Sequence, residues 1–133
     1  MGLRRSLMAL VLVATPVWTA SVALGQSATL PTEIVMSTAT LSPAQQNQIN
    51  QFVNRGIELL LSNEPAQVSQ GRRQLLDTFT LPGVTDIFLA NYSPAISREL
   101  NSRNALENES VLVRTNAMIV ASRLSDGGVV ALI

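Results

Sequence analysis

The sequence predicts an all-α domain of antiparallel helical hairpins behind an N-terminal signal peptide. Three observations carry this. Apolar residues recur at helical spacing in four successive segments, three of these open on Ser or Pro where helices start, and they close on glycine or on polar turns. No stretch makes a convincing strand.

Residues 1–25 form the signal. Arg4 and Arg5 give a positively charged start, residues 7–13 (LMALVLV) form an uninterrupted apolar run, and Ala23-Leu24-Gly25 offers a small-residue cleavage site before Gln26. This order places the chain in the periplasm or outside a bacterial cell. Only an uncleaved signal would bring it to the membrane, as an anchor, and Thr15, Pro16, Thr19 and Ser21 interrupt the apolar stretch such an anchor needs. Arg4-Arg5-Ser6-Leu7-Met8 also resembles the twin-arginine export pattern, although two basic residues before a strongly apolar run are what general secretion uses as well.

Residues 26–41 (QSATLPTEIVMSTATL) are rich in Ser, Thr, Ala and Pro without a sustained period. They read as a flexible leader, with room for a brief extended piece at 33–36. The helical domain is expected over 42–133. Ser42 caps its first helix and Pro43 occupies the first helical position, where a missing N–H costs nothing. Ile49, Phe52, Val53, Ile57, Leu60 and Leu61 then form one stripe, with Gln45, Gln48, Gln51 and Asn54 opposite.

After a turn at 62–64, Pro65 opens a second helix striped by Val68, the aliphatic stem of Arg72, Leu75, Leu76 and Phe79. It ends at Leu81-Pro82-Gly83. So short a connection implies an antiparallel hairpin. The third segment carries Val84, Ile87, Phe88, Tyr92, Ile96 and Leu100, and Ser93-Pro94 within it predicts either one bent helix or two short ones. Residues 101–109 (NSRNALENE) read as a polar connection. Ser110 caps a fourth helix with the stripe Val113, Ala117, Val120, Ala121 and Leu124, stopped at Asp126-Gly127-Gly128.

Residues 129–133 (VVALI) look like the first turn of a fifth helix. The expectation is a chain truncated at its C-terminus, with self-association through Val129, Val130, Leu132 and Ile133.

Composition limits the chemistry. The chain has no Cys, His or Lys, so a disulfide framework, Schiff-base catalysis and the usual nucleophile-base pairs are excluded. Nine Arg face nine acids, and removing Arg4 and Arg5 with the signal leaves seven against nine, a net charge of −2. No basic surface for nucleic acid can be built from that balance.

Sliding the second helix onto the fourth by 45 residues superposes Val68 on Val113, Leu75 on Val120, Leu76 on Ala121, Phe79 on Leu124 and Gly83 on Gly128. In this spacing, and in Val113-Arg114, Ala117, Ala121 and Leu124 followed by Asp126 and an apolar run, the chain resembles HEAT and armadillo helical-repeat proteins, mainly over residues 110–133. The chain departs from the HEAT pattern where Gly71-Arg72 stands in place of Val-Arg. The resemblance implies an α-solenoid fragment and a scaffold that binds protein.

Individual candidate sites have plainer explanations. Glu107 and Glu109 lie in a polar loop and suit the N-terminus of the following helix. Tyr92 sits on an apolar stripe and reads as a core residue with its hydroxyl at the surface. Arg72, Arg73 and Arg114 would make an anion patch, or else helix-surface arginines paired with Glu64, Asp77 or Glu109. Asn91-Tyr92-Ser93 and Asn108-Glu109-Ser110 match glycosylation sequons, a coincidence in a bacterial chain. No catalytic, cofactor-binding or metal-binding residue is assigned. The sequence thus points to a non-enzymatic, exported module that binds another protein through a helical face. The alternative is an accessory or structural N-terminal fragment of a larger exported protein with no dedicated ligand.

Overall fold

A computed structural model describes residues 29–126. The expected signal peptide and cleavage site, and the fifth helix expected to begin at 129–133, lie outside the described residues. Within them the chain is all-helical, with no strand: α1 (Thr32–Val35), α2 (Pro43–Leu60), α3 (Pro65–Asp77), α4 (Asp86–Ser102) and α5 (Val111–Asp126), plus 3₁₀ turns at Thr78–Thr80 and Ala105–Glu107.

The start signals act as read. The Ser42 hydroxyl accepts from the Gln45 amide at 3.2 Å, and the Gln45 side chain accepts from the Ser42 amide at 2.9 Å, so two otherwise orphan donors at the head of α2 are satisfied reciprocally. Ser110 caps α5 by accepting from Val113 N at 3.4 Å. Thr85, which the sequence reading passed over, caps α4 by accepting from Phe88 N at 3.3 Å.

The segment around Pro94 is one helix. Pro94 supplies no amide to the carbonyl of Ala90, but Ala90 and Pro94 are both exposed, so the loss falls on the solvent side while Phe88, Tyr92, Ile96 and Leu100 hold the other side in the core.

α2 packs most extensively against α3 and α4, and α3 against α5, while α4 and α5 touch each other sparsely. The core lies between these faces and contains Ile49, Phe52, Val53, Ile57, Leu60, Val68, Leu75, Phe88, Tyr92, Ile96, Leu100, Val113, Ala117, Val120 and Leu124. The predicted stripes supply all of these, while Ile34, Val35, Leu41, Ala95 and Ala105 join the same cluster from outside them. The α2–α3 crossing is close because of glycine: a β-carbon on Gly71 would lie 2.5 Å from the Leu60 amide nitrogen and 2.6 Å from the Gly56 carbonyl oxygen. The departure from the repeat pattern at Gly71 is therefore a packing requirement of this crossing.

Two expectations are corrected. The leader is not free over its described part. Residues 32–35 form a helical turn instead of an extended piece, and Ile34, Val35 and Leu41 are buried. Thr85 fixes this segment, donating its hydroxyl to Ser37 O at 2.7 Å and its amide to Val35 O at 3.1 Å. The segment wraps across the fold, so its apolar residues need no helical period, and its partner is some fifty positions away.

The polar connection at 101–109 is likewise not wholly solvated. Asn104 takes a left-handed conformation (φ 50°) that turns the chain and drives Ala105 fully into the core.

Candidate functional site

Tyr92 is at the centre of the core. Its ring stacks on Phe88 (centroids 5.0 Å apart, 21° between planes) and meets Phe79 and Phe52 at a tilt, at 5.2 and 6.2 Å. The hydroxyl does not reach the surface, contrary to expectation. It donates to the Leu75 carbonyl at 2.7 Å, one of the last four carbonyls of α3, which have no partner within the helix. The Thr78 hydroxyl serves Gln74 O in the same way at 3.1 Å. Burial pushes the Tyr92 hydroxyl well above the ordinary phenol range, opposed by Thr78 beside it. A phenol held neutral and committed to a backbone carbonyl is a structural part of the fold.

The arginines do not form the expected pairs with Glu64, Asp77 or Glu109. Arg72 donates to Asn116 Oδ1 at 2.9 Å, while the Asn116 amide donates to Leu112 O at 2.8 Å, so a nearly buried asparagine ties α3 to α5. Arg114 donates to Asn108 O at 2.9 Å, and Arg73 is exposed. With Arg72 and Arg114 each donating into the fold, the three residues do not present a shared anion patch. Ion pairing among the described residues belongs to Glu99, with Arg103 at 3.4 Å and Arg98 at 4.0 Å.

Glu107 and Glu109 are both exposed, on the turn leading into α5. Within the first sequon, Tyr92 and Ser93 are buried and the Asn91 amide donates to Ile87 O at 2.8 Å. In the second, Asn108 Oδ1 accepts from Ser110 N at 2.9 Å. Among the described residues no group of acidic side chains is arranged to hold a metal ion, every buried side-chain N or O atom has a hydrogen-bond partner, and no helix is long and apolar enough to cross a membrane.

A shallow cavity of about 350 Å³ is lined by Leu30, Val35, Met36, Leu81 and Pro82 together with Thr29 and Thr32, none of them titratable.

The surface feature that sequence reasoning missed is on α5. Val113, Ala117, Val120 and Leu124 point into the core, yet Val111 (65% exposed), Leu112, Met118 (52% exposed) and Ile119 point away from it. At 100° per residue these four, with exposed Thr115 and Ser122, fall within an arc of about 120° opposite the buried stripe. Between Val111 and Leu124 no charged residue lies within this arc, and Asp126, the last residue of α5, falls within it. The signal was present in the sequence as a second apolar phase, Val111-Leu112 repeated seven residues later by Met118-Ile119, but it was masked by the stronger inward stripe.

No protein-family model, no characterised protein and no solved structure matches this chain.

Proposed function

We propose that this chain is an exported, non-enzymatic helical module that binds protein through the outward face of α5, its helices forming stacked pairs in the manner of a HEAT-like array. The observation that carries this is the face itself. A helix that is apolar on two opposite sides is a buried helix, and α5 has only one of its two sides covered within residues 29–126. The packing of α2 with α4 and of α3 with α5 supports the stacked reading, in which α5 belongs with α4 to the second pair although these two touch each other sparsely. The order of residues 1–25 supports export, and the absence of His, Cys and Lys supports a binding role over a catalytic one.

Native electrophoresis of material from an exporting host tests the reading. The wild-type chain is expected to migrate in a complex larger than the monomer, and a Met118→Glu, Ile119→Glu variant as the monomer with unchanged circular dichroism. Identical migration of the two would contradict it.

A further inference from the structure

Met36 is at the clasp of the segment that wraps across the fold. The carbonyls on either side of it are both held by Thr85, Val35 O at 3.1 Å from the amide and Ser37 O at 2.7 Å from the hydroxyl. Its own side chain lies over Gly83, where a β-carbon would meet the Met36 methyl at 2.6 Å and the Met36 sulfur at 3.3 Å. Gly83 has φ 77°, so the thioether is seated on a left-handed turn that carries no side chain. Such a seat suits a flexible, apolar side chain, and methionine is both.

The same side chain is open to small reagents. Met36 is 45% exposed and forms part of the wall of the cavity of about 350 Å³, together with Leu30, Val35, Leu81 and Pro82. A water molecule takes about 30 Å³ in the liquid, so an oxidant of the size of hydrogen peroxide has room beside the thioether. The chain has no cysteine, and two of its four methionines, Met1 and Met8, lie in the expected signal. Met36 and Met118 are therefore the readily oxidised sulfur atoms of the remainder.

We infer that Met36 is an oxidation site whose sulfoxide unlatches the segment at 29–41 from the body of the fold. In the step, a sulfur lone pair attacks one oxygen of hydrogen peroxide, and the S–O bond forms as the O–O bond breaks. The hydroxide that leaves takes the proton from the oxygen now on sulfur and departs as water. Sulfur loses two electrons and the peroxide gains them. The product puts a polar group where the fold offers an apolar wall and a bare glycine, so it leaves this seat for water. Thr85 then holds the segment alone, and Ile34, Val35 and Leu41 leave the core more often. Met118, 52% exposed on α5, has no part in the clasp and serves as the internal comparison.

Cleavage after Glu33 by a glutamate-specific protease reads the latch, because Glu33 is exposed but lies in the α1 turn, which must unwind to enter a protease. The full chain is treated with hydrogen peroxide until Met118 is converted, the peroxide is removed, and each methionine is followed by peptide mass. Met36 is expected to be converted as well, and cleavage after Glu33 to accelerate about five- to tenfold, the low end of what an unpaired polar group costs. Methionine sulfoxide reductases of both epimer specificities, with a dithiol as reductant, should restore the original rate. Met36→Leu should show no acceleration on peroxide treatment. Met36→Gln, which puts a polar group at the same reach, should be cleaved fast without peroxide.

An unconverted Met36 beside a fully converted Met118 would overturn the inference. So would a converted Met36 with unchanged cleavage, or equal acceleration in Met36→Leu. If Met36→Leu loosened the segment by itself, reversal in the unaltered chain would decide, and cleavage that stayed fast after Met36 was reduced would also overturn it.

Discussion

Gly71 on α3 faces Gly56 on α2 so closely that a β-carbon on Gly71 would lie 2.6 Å from the Gly56 carbonyl oxygen. The obstacle is backbone on a helix that also carries Ile57 and Leu60 into the core, so it cannot swing aside as a side-chain tip would. Gly71→Ala is therefore expected to destabilise the domain by about 1–3 kcal/mol, even though alanine is the better helix former. Thermal unfolding followed by circular dichroism checks this. An unchanged or higher melting temperature would show that the two helices can separate without loss.

Tyr92→Phe removes the donor to the Leu75 carbonyl and leaves the aromatic cluster in place. A buried acceptor without a partner costs about 1–3 kcal/mol, so the urea midpoint should fall by that free energy divided by the slope, with little change in the slope itself.

The same residue sets the alkaline stability. Its folded-state pKa lies above the unfolded value of 10.0, so the folded chain holds the proton more tightly. The resulting stabilisation is fully present below pH 10 and is lost as pH rises above it, at no more than about 1.4 kcal/mol per pH unit. The chain has one tyrosine and no Lys, Cys or His, so no other side chain titrates between pH 8 and the arginine range. Tyrosinate absorbance is expected to appear together with loss of helix. Titration at the ordinary phenol pKa with helix retained would contradict the burial of the hydroxyl.

Thr85→Val should loosen the packed leader. The hydroxyl both caps α4 and holds the Ser37 carbonyl, so its loss is expected to cost about 1–2 kcal/mol. It should also expose residues 31–41 to limited proteolysis ahead of the rest of the domain. Ser42→Ala, which removes a cap without touching that segment, should cost a similar amount without the early cleavage.

What the sequence made legible was local. Ser42-Pro43, Pro65 and Ser110 start helices through chemistry confined to a few residues, and the stripes Ile49 to Leu60 and Val113 to Leu124 follow from helical geometry alone. Features that depend on a distant partner were not legible. Ile34, Val35 and Leu41 have no period because they pack against elements reached only through the tertiary fold. The direction of the Tyr92 hydroxyl depends on where α3 ends relative to α4, and the requirement for Gly71 depends on how closely α2 passes. For the candidate site, the apolar residues of α5 were all visible, but a second stripe has meaning only once the first is known to face the core.

The most direct test of the central claim places a photo-activatable cross-linking residue at position 118, on the outward face of α5, and separately at exposed Gln48 on α2, in the exporting host. Irradiation is expected to give a discrete protein adduct from position 118 and none from position 48. Equal, diffuse labelling from both positions, or no adduct from position 118, would contradict the assignment of this face as the surface through which the protein binds.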